Sequence, residues 1–291
     1  MPAVQPEIKP IGDEDLSAAC DFWRASFRSR CPADVWRRAF EMRWAASKPN
    51  NGFMMKSGAE IVGALGAIYS DQEIDGRIER FCNMTSWYVS EPHRSRGLLL
   101  LLQLIRQDGY TFTNLSASPD VEAILRHAGF DGMSKDVYGV PHLVSPVRFP
   151  SNVRVLDSVA DMASVLPPTR RQICLDHAHC RRSTQVAIGT EQDGYCHVMF
   201  TVSRSRRVPS AIVHDLGIPR LLKKFWSHFA AYALYKKGAL VSRIEARLLD
   251  GAGLPWAVPL NGRSGALYLS RTVGPEAISR RYTEAMVLTG C

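Results

Sequence analysis

The chain has 291 residues, 46% of them hydrophobic and 22% charged, with a formal net charge of +8. This length suits two domains, and the composition excludes fibrous and disordered classes of protein. The positive charge fits an anionic ligand, but the arginine clusters are short and no nucleic-acid-binding signature accompanies them, so no nucleic-acid partner is expected. The longest apolar run, residues 98–102, is too short to span a membrane, and the N-terminus lacks the apolar core of a signal peptide. The sequence therefore predicts a cytoplasmic protein without a membrane partner.

The predicted elements of the first half alternate between strands and helices. Residues 13–27 place acidic side chains in a first helical turn and apolar side chains on one face, which is typical of an amphipathic helix. Strands are predicted at 7–11, 53–56, 60–69, 78–89, 110–116 and 136–144, and helices at 13–27, 33–46, 97–107 and 120–127. This order predicts an α/β fold with a mixed sheet flanked by helices.

The second half repeats that order without repeating the residues. A linker is predicted at 146–152. Beyond it, strands are predicted at 185–189, 195–203, 211–213, 240–248 and 266–269, and helices at 158–166, 219–237 and 275–287. We therefore expect one domain over residues 1–147 and a second α/β domain over residues 148–291.

The stretch from Trp87 to Leu99 carries the clearest chemical signal. An extended run is followed by a basic, glycine-containing turn and an apolar helix. The first N–H groups of a helix lack internal partners and the helix dipole adds positive potential, so such a terminus binds phosphate. Arg94 and Arg96 would strengthen the site, and Gly97, without a Cβ, would let the backbone approach a ligand.

This segment resembles motif A of the GNAT superfamily of acyl-CoA N-acyltransferases. Arg94 and Gly97 match the first two specified positions of that motif, and Gly129-Phe130 resembles the end of the family's next helix. The resemblance implies a GNAT-like sheet in the first half, and the order of elements suggests a second GNAT-like half. It also implies a cofactor-binding set consisting of Trp87, Tyr88, Val89, Arg94, Ser95, Arg96, Gly97, Leu98 and Leu99.

The same resemblance implies a reaction. Acetyl-CoA or another acyl-CoA would be the co-substrate, no metal would be needed, and a small-molecule or protein amine would attack the thioester directly. Asn83 and Thr85 could orient a water molecule, and Tyr138 could replace the family's acidic tyrosine, because that position is occupied by Leu125. Leu99, where the family has Gly or Ala, could crowd the ligand or turn into the core. The alternative is a non-catalytic GNAT-like protein that binds acyl-CoA or a partner.

Two other segments contain residues that bear on the binding of a metal ion or a phosphate. Cys174, His177, His179 and Cys180 are of the types that bind zinc, but their spacing matches no familiar site, so no metal is expected. In the second half, the turn at 213–219 places Asp215 where a phosphate would lie, and a carboxylate there would repel pyrophosphate. We therefore expect the second domain to lack a cofactor site.

Overall fold

A computed structural model describes residues 5–134, 136–143, 152–204, 208–260 and 265–288, and these form two β-sheets flanked by helices. Strands and helices are numbered along the chain. In spatial order the first sheet contains β1 (Glu7–Pro10), β2 (Gly52–Ser57), β3 (Glu60–Ile74), β4 (Arg77–Val89), β5 (Thr111–Ala117), β14 (Gly265–Leu269) and β6 (Asp131–Gly132). The second sheet contains β8 (Arg154–Leu156), β9 (Ser183–Thr190), β10 (Gly194–Ser203), β11 (Ser210–Leu216), β12 (Val241–Glu245), β7 (Val137–Pro141) and β13 (Val258–Leu260).

The two sheets have the same plan. In each, four antiparallel strands lead to one parallel pair, β4 with β5 in the first and β11 with β12 in the second. Two further antiparallel strands follow on the far side of that pair. A parallel pair needs a crossover, and helices make it in both halves. The predicted α/β fold in two related halves is confirmed.

The halves exchange one strand each. The strand β7 comes from the first half of the chain but lies between β12 and β13 of the second sheet, where Val140 pairs with Ser242. Reciprocally, β14 lies between β5 and β6 of the first sheet, where Leu267 pairs with Asn114. Val140 and Leu267 are fully buried in these host sheets. The boundary between residues 147 and 148 falls outside the described residues and stays a prediction, but neither sheet is built from one side of it alone.

Helices cover both faces of each sheet. They are α1 (Leu16–Ser26), α2 (Ala33–Glu41), α3 (Gly97–Ile105), α4 (Pro119–His127), α5 (Val159–Val165), α6 (Pro168–Asp176), α7 (Pro219–Lys224), α8 (Trp226–Ala231) and α9 (Ala285–Leu288). On one face of the first sheet, α3 buries Leu100, Leu101 and Leu104, an apolar stripe at helical spacing. On the other face, Trp23 of α1 stacks on Phe40 of α2 with ring centroids 5.0 Å apart. None of the helices in the described ranges is both long and apolar enough to cross a membrane.

Several predicted elements differ from the structure. The helix predicted over 219–237 is divided into α7, α8 and a π-helical turn at Tyr232–Lys236, because Phe225 leaves helical geometry. The terminal helix predicted over 275–287 shrinks to a 3₁₀ turn at Pro275–Ala277 and the short α9. Between them the chain runs through the space between the halves and buries Ile278 and Tyr282. The helix α6 was not predicted, although Pro168 at its start is a helix-initiating signal.

Candidate active site

The first sheet opens where β4 and β5 separate. These strands pair in parallel at three positions, the last being Asn83 with Thr113, and beyond that rung both continue without pairing to each other. On its other side β4 carries a bulge, because Ser86 and Trp87 together face one residue of β3 and Ser86 takes a φ of +55°. A bulge bends its strand and increases the local twist, which helps β4 turn away from β5. The result is a V-shaped gap inside the sheet.

The final residues of β4 leave a free backbone edge on this gap. Ser90 donates its N–H to the carbonyl of Val62 on β3, at 2.8 Å. Because backbone groups alternate between the two edges of a strand, the N–H and C=O of Val89 face the opposite edge, toward the gap. An extended ligand could pair with these groups as an additional strand.

The gap leads to the basic turn. Residues Glu91–Arg96 form a 3₁₀ helix that runs directly into α3, and Arg94 and Ser95 are exposed. The Gly97 N–H donates to the carbonyl of Arg94, so this amide already has a partner. No ion pair joins Arg94 or Arg96 to an acidic side chain in the parts of the chain that the structure describes.

The structure gives Gly97 a different role from the expected one. Its φ of −56° is helical, and a Cβ added there would lie 3.3 Å from a methyl group of Val89. Glycine therefore lets the start of α3 pack closely on β4, whereas the prediction was a close approach of the backbone to a ligand. Leu98 and Leu99 are 46% and 45% exposed, so Leu99 does not turn into the core.

At the closed end of the gap, where β4 and β5 last pair, a partly buried polar cluster joins both strands to Glu284. Asn83, which is 3% exposed, accepts a hydrogen bond from Thr113 Oγ1 at 3.2 Å and donates one from Nδ2 to Glu284 Oε2 at 2.7 Å. Ser116 donates to Glu284 Oε1 at 3.1 Å, and Thr85 lies buried one strand repeat beyond Asn83. The structure therefore brings Asn83 together with Glu284, a residue the sequence did not single out, and Thr85 follows on the same strand. Glu284 follows Asn83 by 201 positions, and no local pattern connects the two.

The carboxyl group of Glu284 has an unusual environment. Removal from water raises its pKa, while hydrogen bonds from Asn83 and Ser116 and the charge of Arg280 oppose that rise without cancelling it. Arg280 also donates to the carbonyl of Leu115 on β5 and pairs with Glu245. A carboxyl group with a raised pKa beside a gap is a candidate for proton transfer.

Tyr138 does not join this cluster. It lies on β7 in the second sheet, opposite Ile244, and packs against the core of that half. The strand exchange explains the difference, because the prediction placed this strand in the first sheet. Leu125, at the position of the family's acidic tyrosine, is fully buried among the residues that pack α3 on the sheet.

The second sheet also has a point where its parallel strands separate, and an ion-pair network lies beside it. The strands β11 and β12 stop pairing after Ile212 and Arg243, and β11 is bulged at His214. Asp215 then forms ion pairs with both Arg170 and Arg281. Arg170 also donates to the carbonyl of Leu216 at 3.0 Å. The expected obstacle was the negative charge of Asp215; in the structure Arg170 and Arg281 compensate this charge.

The turn after β11 also offers few amides. The Gly217 N–H donates to the carbonyl of His197 at 2.8 Å, and the first residue of α7 is Pro219, which has no N–H. Near α6, the two ring nitrogens of His177 lie 2.8 and 2.5 Å from backbone carbonyl oxygens, which leaves neither directed at a metal. Across the described ranges, no three His, Cys, Asp or Glu side chains are grouped to hold a metal ion.

Comparisons with known proteins identify the architecture. No family model and no curated protein matches the sequence. Among solved structures, a GCN5-related N-acetyltransferase from Anabaena variabilis superimposes with a TM-score of 0.61 at 12% identity, over 91% of this chain and 72% of that one. The chain has the fold of the GNAT superfamily. A tandem GNAT protein from the clavulanic acid biosynthesis pathway superimposes with a TM-score of 0.56 at 12% identity, covering 91% of this chain and 98% of its own. The GNAT resemblance is thus confirmed as a fold, in a tandem arrangement.

Proposed function

We propose that this tandem GNAT-fold protein is an acyl-CoA-dependent N-acyltransferase with one working site, in the first half. The observation that supports it most is the gap between β4 and β5, which runs from Asn83 past the free edge of Val89 to the basic turn at Glu91–Arg96. The donor is acetyl-CoA or another acyl-CoA, and the acceptor is a small-molecule or protein amine. The comparison structure from Anabaena variabilis and another from Kribbella flavida are named as N-acetyltransferases, which supports acetyl-CoA as the donor.

Each part of the cofactor has a place along this path. The pantetheine arm pairs with the backbone of Trp87 and Val89 beside Tyr88, and the thioester lies near Asn83 and Thr85. The pyrophosphate lies on the turn, where Arg94, Ser95 and Arg96 offer charge and donors and Leu98 and Leu99 begin the helix. The turn after β11 supports the proposal that the second half binds no CoA, because the Gly217 N–H is already bonded and α7 begins with Pro219.

One observation favours a second candidate, a GNAT-fold protein that binds acyl-CoA or a partner without transferring the acyl group. Leu125 is buried in the core where the family's tyrosine would protonate the departing thiolate. Calorimetry with acetyl-CoA, combined with a thiol-release assay over a panel of amines, separates the two functions. Binding without release of CoA supports the second.

Reversing the charge of the turn tests the cofactor site. In the variant Arg94→Glu/Arg96→Glu we expect the Kd for CoA to rise about a hundredfold, roughly tenfold for each side chain, because two phosphate partners become repulsive. Both residues lie on the surface turn, so the thermal midpoint should change little. Isothermal titration calorimetry measures the Kd. The salt concentration is kept the same for all variants, because salt screens the attraction between exposed charges.

A matched control is Arg181→Glu/Arg182→Glu, which makes the same charge change at two exposed arginines away from the gap. Its Kd should stay within about twofold of the wild-type value, the residual coming from long-range electrostatics. Equal losses in the two variants would mean that only net charge matters, and would contradict a phosphate site at this turn.

A further inference from the structure

The C-terminal segment, residues 275–288, places a carboxylate across the gap in the first sheet. Asn83 on β4 and Ser116 on β5 lie on the two strands that separate, and each donates to a different oxygen of Glu284, at 2.7 and 3.1 Å. The gap of one half is thus completed by a side chain from the far end of the other. Resting on the proposed function, we propose that Glu284 is the general base that removes a proton from the acceptor amine.

The geometry leaves this carboxylate available to a substrate. A carboxylate has about four lone-pair positions, and the two hydrogen bonds use one on each oxygen. Glu284 is only partly buried, so an amine entering the gap can reach it. Asn83, Thr113 and Ser116 are neutral hydrogen-bonding groups, so within this cluster Glu284 is the member that can accept a proton. Asn83 and Thr85 were predicted to orient a water molecule. In this proposal Asn83 holds the general base by a hydrogen bond, and Thr85 lines the path of the amine toward it.

Glu284 is also held in position. Thr283 Oγ1 donates to the carbonyl of Arg280 at 2.8 Å, and Met286 in α9 is fully buried against α1 and α2. A base fixed by its neighbours needs little reorganisation during reaction. The raised pKa of Glu284 brings its proton affinity closer to neutral pH, where a general base is most effective. The groups that face it from β4 and β5 are neutral, and Arg280, on its own segment, is the nearby charge.

The proposed step balances as follows. The acceptor arrives as an ammonium ion and gives one proton to the Glu284 carboxylate, which passes it to water. The freed nitrogen lone pair forms a C–N bond to the thioester carbonyl carbon, and the C–S bond then breaks with its electron pair on sulphur. The thiolate takes the second nitrogen proton, so the products are the amide, CoA with a free thiol, and one released proton.

Glu284→Gln tests the assignment with little change in shape. With acetyl-CoA and a panel of arylalkylamines, amino sugars and a lysine peptide, we expect kcat for CoA release to fall about 10²- to 10⁴-fold. The Kd for acetyl-CoA should stay within about twofold of the wild-type value, because in this proposal the carboxylate acts on the acceptor amine and does not hold the cofactor. In the wild type, kcat should fall as Glu284 becomes protonated at low pH, and this acidic limb should be absent from the variant.

A structural role would not produce that pattern. Because the pKa of Glu284 is raised, its ionised form opposes folding, and stability rises as the pH falls through that pKa. The glutamine variant should therefore unfold at the same temperature as the wild type or higher at pH 7. Glu276→Gln, the same change at an exposed residue of the same C-terminal segment, should leave kcat and its pH profile unchanged.

Each remaining outcome has one meaning. Wild-type kcat in Glu284→Gln, with the acidic limb retained, would overturn the assignment of the base and leave the proposed function standing. Failure of the wild type to bind acetyl-CoA would overturn the proposed function itself. Binding of acetyl-CoA by the wild type with no CoA release to any amine would overturn the assignment and favour the non-catalytic candidate.

Discussion

Replacing Asp215 with alanine is expected to lower the free energy of unfolding by about 3–5 kcal/mol, the usual cost of breaking a buried ion-pair network by removing one partner. Asp215 is 2% exposed and lies between the guanidinium groups of Arg170 and Arg281. Without it, both arginines keep their charge with no carboxylate between them. Guanidinium denaturation with linear extrapolation measures the change.

The pH dependence of this loss provides an internal check. Burial alone would raise the pKa of Asp215, but Arg170 and Arg281 outweigh it and hold the pKa at about 2, below the ordinary 3.8. A lowered pKa contributes stability above the unfolded value, and this contribution disappears as the pH falls through the folded value. The difference between wild type and variant should therefore shrink between about pH 4 and pH 2.

Asp34→Ala is the matched control. Asp34 pairs with Arg38 on the exposed face of α2, at 2.8 Å with both side chains more than half exposed, so the same substitution removes a solvated ion pair. Its loss should stay within about 1 kcal/mol. A loss in Asp215→Ala no larger than that of the control would show that the stability of the fold does not depend on this ion-pair network.

Local patterns predicted much of the first half. The extended run into Val89, the basic turn and the leucines of α3 are neighbours in sequence, so their periodicity and composition report their structure directly. The same signals located the strand before the turn and the helix that Gly129 follows. The GNAT resemblance then implied a GNAT-like sheet flanked by helices, and the structure confirms that fold, although each sheet takes one strand from the other half.

Non-local pairing defeated the prediction of the remaining site residues. The sequence of residues 137–141 does not indicate that this strand joins the second sheet, because a short apolar strand can pair in either sheet. Tyr138 was therefore placed in the wrong sheet. Glu284 was hidden for a related reason: residues 275–287 have helical composition, but packing between the two halves holds most of them outside helical structure.

The C-terminal segment contacts both sheets within a few residues. Arg281 pairs with Asp215 of β11, whereas Glu284 accepts from Asn83 of β4. Between them in chain order, Tyr282 donates to Asp176 of α6 at 2.6 Å. These residues therefore contact both sheets, in each case on a strand that separates from its parallel neighbour.

The strand exchange predicts that neither half folds alone. A fragment of residues 1–147 lacks β14, so β5 keeps only β4 as a neighbour and the core around α3 and α4 loses Leu267. A fragment of residues 148–291 lacks β7, which leaves β12 and β13 without the strand between them. Each fragment should be aggregated or without a cooperative unfolding transition, because it exposes a strand edge and apolar surface.

Expressed together, the same fragments should assemble into a stable complex. A break between residues 147 and 148 cuts no described strand, so β7 and β14 can still enter their host sheets. A tag on one fragment should recover the other, and the complex should bind CoA as the intact chain is proposed to do. The control replaces the fragment of residues 148–291 with residues 148–264. This shorter fragment lacks both β14 and Glu284 and should recover little of the 1–147 fragment. A monomeric, cooperatively folded 1–147 fragment would show that β14 is dispensable, because the first sheet would then hold together with β5 at its edge.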